Sequence, residues 1–224
     1  MAGPILRDLL PDTADISSGE HTLIGGCDLL ELAHEFGTPL FVYDEAHLRS
    51  RCREAVEAFN GNVAYATKAF LCIEMARLAY QEGMNLDVAT GGELYIARKA
   101  DVPGERIVMH GNNKSFEELA MALRENVGRI VVDSFNELDR LEELCADLNK
   151  STKVLLRVTP GVEAHTHEFV STGQEDSKFG FTVRSGVAEE AVERTRSSQY
   201  LELLGLHAHI GSQVFDVQTF AKGV

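Results

Sequence analysis

Lys68 closes the run Asn62-Val63-Ala64-Tyr65-Ala66-Thr67-Lys68, which reads as a buried strand delivering one amine to a cavity. In a strand, Asn62, Ala64, Ala66 and Lys68 share one face and Val63, Tyr65 and Thr67 the other, so two alanines ahead of the lysine leave room for something large. A buried, unpaired ammonium is expensive, and its usual escapes are a depressed pKa or a covalent bond to a carbonyl. One reading is a Schiff-base lysine; the other is a strand-end lysine that snorkels to solvent. A second cluster is Leu206-His207-Ala208-His209-Ile210-Gly211-Ser212-Gln213. His207 and His209 share a strand face, and H-x-H is a metal-ligand spacing in barrel hydrolases. Against a metal, no second ligand cluster of comparable clarity is present, and Ser212 beside Gly211 suits a phosphate. A metal pair, a cofactor site and structural histidines all stay open on these residues.

The elements that must position these groups alternate along the chain. Strands are expected at 62–68, 84–89, 106–110, 129–133, 153–159 and 201–210, and helices at 73–81, 92–100, 115–125, 135–148 and 186–196. Ser115 with Glu118 fits a capping box ahead of Leu119, Met121 and Leu123. Strict alternation predicts βα units on a parallel sheet, and six of them suit most of a (β/α)8 TIM-type barrel better than a short doubly wound sheet. The fold class is therefore α/β, an incomplete barrel spanning residues 46–224. Residues 1–45 do not fit the repeat: Leu23-Ile24-Gly25-Gly26 and Leu40-Phe41-Val42-Tyr43 are strand-like and flank a helix from Leu29 to Glu35, as in part of a separate β domain. The sequence stops within what reads as the sixth helical connection, so a fragment of a longer protein is expected.

Barrel enzymes build their sites at the carboxyl ends of the strands. The polar residues expected there are Lys68, Asp87, His110, Asp133, Arg157, His207 and His209, with glycines Gly91-Gly92, Gly111, Gly161 and Gly211 following most of them. The polar segment 163–178, with His165, His167 and Lys178, is expected to be a substrate loop. A formal charge of -14 argues against nucleic acid or an anionic membrane as the general partner. Cys27, Cys52, Cys72 and Cys145 contain no C-x-x-C pair and are expected as reduced thiols. No signal peptide and no bilayer-length apolar run is visible, which points to the cytoplasm.

Five motifs resemble the diaminopimelate decarboxylase family, pyridoxal-phosphate decarboxylases with an alanine-racemase-like barrel. They are Ala64-Tyr65-Ala66-Thr67-Lys68-Ala69, Asp87-Val88-Ala89-Thr90-Gly91-Gly92-Glu93, His110-Gly111-Asn112-Asn113-Lys114, Ser177-Lys178-Phe179-Gly180-Phe181 and His207-Ala208-His209-Ile210-Gly211-Ser212-Gln213, in order. The resemblance implies that Lys68 carries pyridoxal 5'-phosphate, that His209 stacks on its ring, and that Ser212 with Gly211 meets its phosphate. Asp87 and Arg157 match polar residues supporting the lysine and the ring oxygen, and Glu93 lies behind them. The catalytic pair implied is Lys68 and His209, with no metal.

The implied reaction is decarboxylation of meso-2,6-diaminopimelate to L-lysine and carbon dioxide, the last step of lysine biosynthesis. The alternatives are a decarboxylase of another basic amino acid or a catalytically silent homologue. His209-Ile210-Gly211-Ser212-Gln213 differs from the His-Val-Gly-Ser-Gly of relatives acting on ornithine or arginine, and so favours diaminopimelate. The family's glycine-rich phosphate loop, its acidic partner to the pyridine nitrogen and its carboxy-terminal β domain follow the point where this sequence ends. Full-length members are homodimers. These 224 residues alone are accordingly expected to be inactive and poorly soluble.

Overall fold

The computed structural model describes residues 7–16, 21–160, 179–211, 218 and 221. The chain divides into two compact units, residues 1–63 with 81–84 and residues 64–80 with 85–224. In the first, β1 (Leu23–Ile24) and β2 (Cys27–Asp28) form an antiparallel hairpin. Asp28 then caps α1 (Leu29–Phe36), its carboxylate accepting from the Leu30 and Glu31 N–H groups. Asp44 caps α2 (Glu45–Ala58) by accepting from His47 N–H at 3.0 Å. Arg49 and Arg53 of α2 share the Glu82 carboxylate at 2.8 and 3.0 Å. The strand expected at Leu40-Phe41-Val42-Tyr43 is absent: the segment pairs with no strand among the described residues, and Phe41 is 85% exposed. Strand-like composition forms a strand only against a ladder partner, and among the described residues no strand pairs with this segment.

The second unit is built of βα units. In chain order it contains β3 (Ala64–Ala66), α3 (Ile73–Gln81), β4 (Asn85–Val88), α4 (Gly91–Lys99), β5 (Ile107–Met109), α5 (Phe116–Arg124), β6 (Arg129–Val132), α6 (Phe135–Leu148), β7 (Thr152–Thr159), β8 (Phe181–Thr182), α7 (Val187–Ser197) and β9 (Leu201–His207). Neighbours β3-β4-β5-β6-β7 are all parallel, and β7 also pairs in parallel with both β8 and β9. Parallel neighbours need a crossover, and each helix supplies one. The strands bury Leu86, Val88, Ile107, Met109, Ile130, Val132, Val154 and Leu156, and the helices bury Leu94, Leu119, Leu138 and Leu141. This is the expected α/β architecture with its carboxyl strand ends on one side.

One device recurs at those ends. Thr90, Ser115 and Ser134 each accept from the N–H three residues on, at Glu93, Glu118 and Glu137. Each glutamate turns back: Glu93 accepts from Ala89 and Thr90, Glu118 from Ser115 at 2.9 Å, and Glu137 from Asp133 at 3.1 Å. Glu118 also accepts from Gly91 N–H at 2.7 Å, tying the start of α5 to the start of α4.

Five of the six expected strands are shorter than expected, and the changes in β3 and β9 touch the site. β3 stops at Ala66, and Thr67–Ala69 turn into a single 3-10 turn. Strand alternation therefore does not position Lys68. The reason is Thr67, which is buried and donates its hydroxyl to the Asp87 carbonyl at 2.9 Å, ending the β3-β4 ladder just after Ala66 pairs with Asp87. Nor is the run buried: Asn62, Ala64 and Lys68 are exposed. β9 ends at His207 rather than Ile210, so His209 follows the strand instead of sharing a strand face with His207.

Candidate active site

The carboxyl ends of β3, β4, β5, β6, β7 and β9 bring together the polar side chains that the sequence singles out. Lys68 is exposed on its turn, and its charge acts on Asp87, His110 and His209. Asp87 Oδ2 lies 3.4 Å from His110 Nε2. Burial lifts the Asp87 carboxyl to about 6, with Glu93 adding to the rise and Lys68 opposing it. Burial also holds His110 down to about 4, helped by Lys68, Lys114, Arg157 and His209. His207 is held down to about 4 by burial and then by Arg157, and His209 is lowered by burial, Arg157 and Lys68. All three imidazoles are thus neutral at neutral pH, among cations that favour this state.

Arg157 is held from two sides. Its Nη1 donates to Asp133 Oδ1 at 3.2 Å, and its guanidinium stacks on the Phe179 ring, 4.7 Å from the centroid. Asp133 Oδ2 accepts from Gly180 N–H at 3.1 Å. Gly180 has φ 73°, and a Cβ there would sit 2.6 Å from the Arg157 carbonyl oxygen, so only glycine brings this N–H to the carboxylate. The described part of the Phe179-Gly180-Phe181 motif thereby acquires a physical role. Phe181 completes it by packing edge-on against Phe135 at 5.1 Å.

In the β7-β9 register Arg157 stands opposite His207. The His207 Nδ1 atom is buried with no hydrogen-bond partner among the described residues. Gly211, at φ 135°, adopts a backbone that other residues rarely take. Ser212 lies outside the described residues, as do the segment 163–178 with His165 and His167, and the Ser177-Lys178 half of its motif. Among the described residues, no three His, Cys, Asp or Glu side chains gather as a metal-binding group.

Two further residues belong to this assembly although their types alone did not mark them. Lys114 is 2% exposed, and its Nζ reaches Glu137 Oε1 at 2.7 Å, the Val131 carbonyl at 2.8 Å and the Gly111 carbonyl. Glu137 is the acceptor that holds the Asp133 N–H. The available signal was Ser134-x-x-Glu137, the same pattern as Ser115-x-x-Glu118.

The geometry agrees with comparison to known proteins. Residues 45–224 match the family model described as "Pyridoxal-dependent decarboxylase, pyridoxal binding domain". Diaminopimelate decarboxylase of Bacillus subtilis (strain 168) is 54% identical over 205 residues, covering 89% of this chain and 47% of that protein. Its counterpart from Mycobacterium tuberculosis (strain H37Rv) is 55% identical over 199 residues, covering 88% of this chain and 44% of that protein. The crystal structure of diaminopimelate decarboxylase from M. jannaschii in co-complex with L-lysine superposes with a TM-score of 0.84 at 37% identity, covering 95% of this chain and 51% of that one. The chain spans about half the length of the curated relatives it matches. A family model that takes in every strand from β3 to β9, and all the polar strand ends just described, makes this chain a member of the pyridoxal-dependent decarboxylases, of which it carries the pyridoxal-binding domain.

Proposed function

We propose that the full-length protein containing this chain decarboxylates meso-diaminopimelate to L-lysine and carbon dioxide, with pyridoxal 5'-phosphate carried on Lys68. The observation that carries this reading is the meeting of one exposed amine with a buried, cation-rich set of neutral imidazoles at the strand ends. The donor set fits the cofactor: a primary amine for its aldehyde, the charges of Lys68 and Arg157 for an anion, and a neutral imidazole for the ring face. His207 Nδ1, buried without a hydrogen-bond partner among the described residues, is a loose end of the kind a bound polar group satisfies. Pyridoxal phosphate, when bound, supplies the electron sink for the carbanion that loss of carbon dioxide leaves behind.

The chain's own residues divide the remaining work. Lys68 Nζ would anchor the cofactor covalently and would be available for proton transfer or product release. The Asp87 carboxylate, ionised above about pH 6, keeps a negative charge beside Lys68. His209 would pack on the cofactor ring as an uncharged imidazole. Arg157, held by Asp133 and Phe179, would offer its remaining N–H groups to the ring oxygen, and Gly211 and Ser212 would hold the phosphate. Glu93 stands behind Asp87 through the β4-α4 turn, where it fixes the Ala89 and Thr90 N–H groups.

In this reading residues 1–45 contribute to a β domain, residues 46–224 form the cofactor-binding part of the barrel, and the protein acts as a cytoplasmic homodimer on a small molecule. The net charge of -14 opposes nucleic acid or an anionic membrane as the general partner, and among the described residues no helix is long and apolar enough to cross a membrane. The substrate assignment rests on the named relatives and on His209-Ile210-Gly211-Ser212-Gln213.

The test uses the full-length protein. Pyridoxal phosphate is added, the visible absorption recorded, the protein reduced with borohydride and the modified peptide mapped. Modification at Lys68, followed by carbon dioxide release from meso-diaminopimelate in preference to ornithine or arginine, is the expected result. A folded protein unmodified at Lys68 overturns the cofactor assignment. Modification without carbon dioxide release from any of the three identifies a silent homologue instead.

A further inference from the structure

We propose that Lys114 is a positioning residue for the cofactor site, acting through Glu137 and Asp133 on Arg157. The inference rests on the reading of Arg157 as a cofactor ligand. Its starting point is a cost: an ammonium and a carboxylate taken out of water each lose solvation that their attraction must offset, and an apolar pair of similar size is often as stable. Lys114 and Glu137 are 2% and 4% exposed, in the loop before α5 and the first turn of α6. Stability alone does not account for placing both charges there.

The contacts supply an account. Lys114 Nζ donates to the Val131 and Gly111 carbonyls and forms an ion pair with Glu137 Oε1 at 2.7 Å. It thereby spans the loop after β5 and the end of β6. Glu137, pinned through Oε1, turns Oε2 to the Asp133 N–H, fixing the backbone from which the Asp133 side chain springs. That side chain then divides its oxygens between Arg157 Nη1 and Gly180 N–H. The Lys114 carbonyl is itself held by Arg140 Nη1 at 3.1 Å, so the lysine is fixed at both ends. The links from Lys114 to Arg157 are the Lys114–Glu137 ion pair, the hydrogen bond from the Asp133 N–H to Glu137, the covalent frame of Asp133 and the Asp133–Arg157 pair. Burial drives Glu137 toward its protonated form and Lys114 opposes it, so loss of the lysine removes the first link and weakens the next, from Glu137 to the Asp133 N–H.

A relay of this kind predicts lost cofactor affinity rather than lost stability alone, and affinity passing through Arg157. Pyridoxal phosphate is titrated by absorbance into the cofactor-free full-length protein and into its Arg157→Ala, Lys114→Met and doubly substituted variants, with melting temperature measured alongside. Each single substitution should weaken the dissociation constant by about tenfold or more, as expected when one partner of a buried charge network is removed. The double variant should bind no more weakly than Arg157→Ala, because the two effects share one path. Should Lys114→Met fail to fold with Glu137 left unpaired, the Lys114→Met/Glu137→Met pair removes both charges and replaces it in the same cycle. A folded Lys114 variant with unchanged affinity, or strictly additive losses in the double variant, overturns the relay. An Arg157→Ala protein that binds normally overturns the reading of Arg157 itself.

Discussion

At the scale of single residues, the buried titratable groups of the site pull in opposite directions, and that gives stability a pH signature. His110 and His207, held near 4 against an ordinary 6.5, bind protons more readily in the unfolded chain. Their contribution is present at neutral pH and is lost as pH falls through that interval. Asp87, lifted from 3.8 to about 6, keeps its proton longer in the folded state, so its contribution is present at low pH and lost as pH rises through about 6. Near pH 5 the two histidines take up protons on unfolding while Asp87 releases one. Replacing Asp87 by Asn removes the opposing proton. The pH dependence of unfolding free energy in cofactor-free protein, followed by denaturant titration around pH 5, should become steeper by roughly 1 kcal/mol per pH unit in Asp87→Asn. An unchanged slope means that Asp87 is not lifted. The residue types at the strand ends were legible in the sequence, but their pairings were not. Asp133 and Arg157 are 24 residues apart and meet only because β6 and β7 are neighbours in register.

At the scale of elements, the capping glutamates make the strand-to-helix turns into a linked series. Ser115→Ala removes one cap acceptor, worth about 1 kcal/mol. Glu118→Ala strips the acceptor from two N–H groups, those of Ser115 and Gly91, and the cost of leaving them unpaired should raise the loss to roughly 2 kcal/mol or more. Denaturant unfolding of both variants gives the comparison. Faster amide exchange at Gly91 in Glu118→Ala alone places the extra loss in the α4 turn, whereas equal costs mean that the bridge between the two helices contributes nothing. The Ser115 box was readable because its signal is local, as were the helices of the second unit and its strands other than β8, which fall within a few residues of their hydrophobic periods; β8, two residues long, shows no period to read. Helix α2 was not singled out, since its arginines and glutamates leave only Cys52 buried and hence little apolar stripe to see. The Thr67–Ala69 turn was hidden for another reason: it depends on the Asp87 carbonyl, 20 residues away.

At the scale of the whole molecule, charge and sheet edge compete. Among the described strands β9 pairs only with β7, and its outward residues include Leu204 and Leu206, 46% and 57% exposed. A free parallel edge with apolar side chains is a template for association. The net charge of -14 opposes it by mutual repulsion, which acts over the Debye length and shrinks with salt, whereas the apolar contact does not. We therefore expect the isolated 224-residue chain to scatter more light as salt is raised at fixed protein concentration. The full-length protein, in the reading proposed above, should stop at a dimer across the same salt series. Replacing Leu204 and Leu206 by Lys supplies the discriminating arm, since charges on an open strand edge are a known brake on edge pairing. If the edge is the cause, this variant of the isolated chain loses the salt-dependent growth while keeping its far-ultraviolet circular dichroism. Growth that persists in the variant assigns association to another surface, and an isolated chain that stays monomeric at high salt removes the edge as a liability altogether.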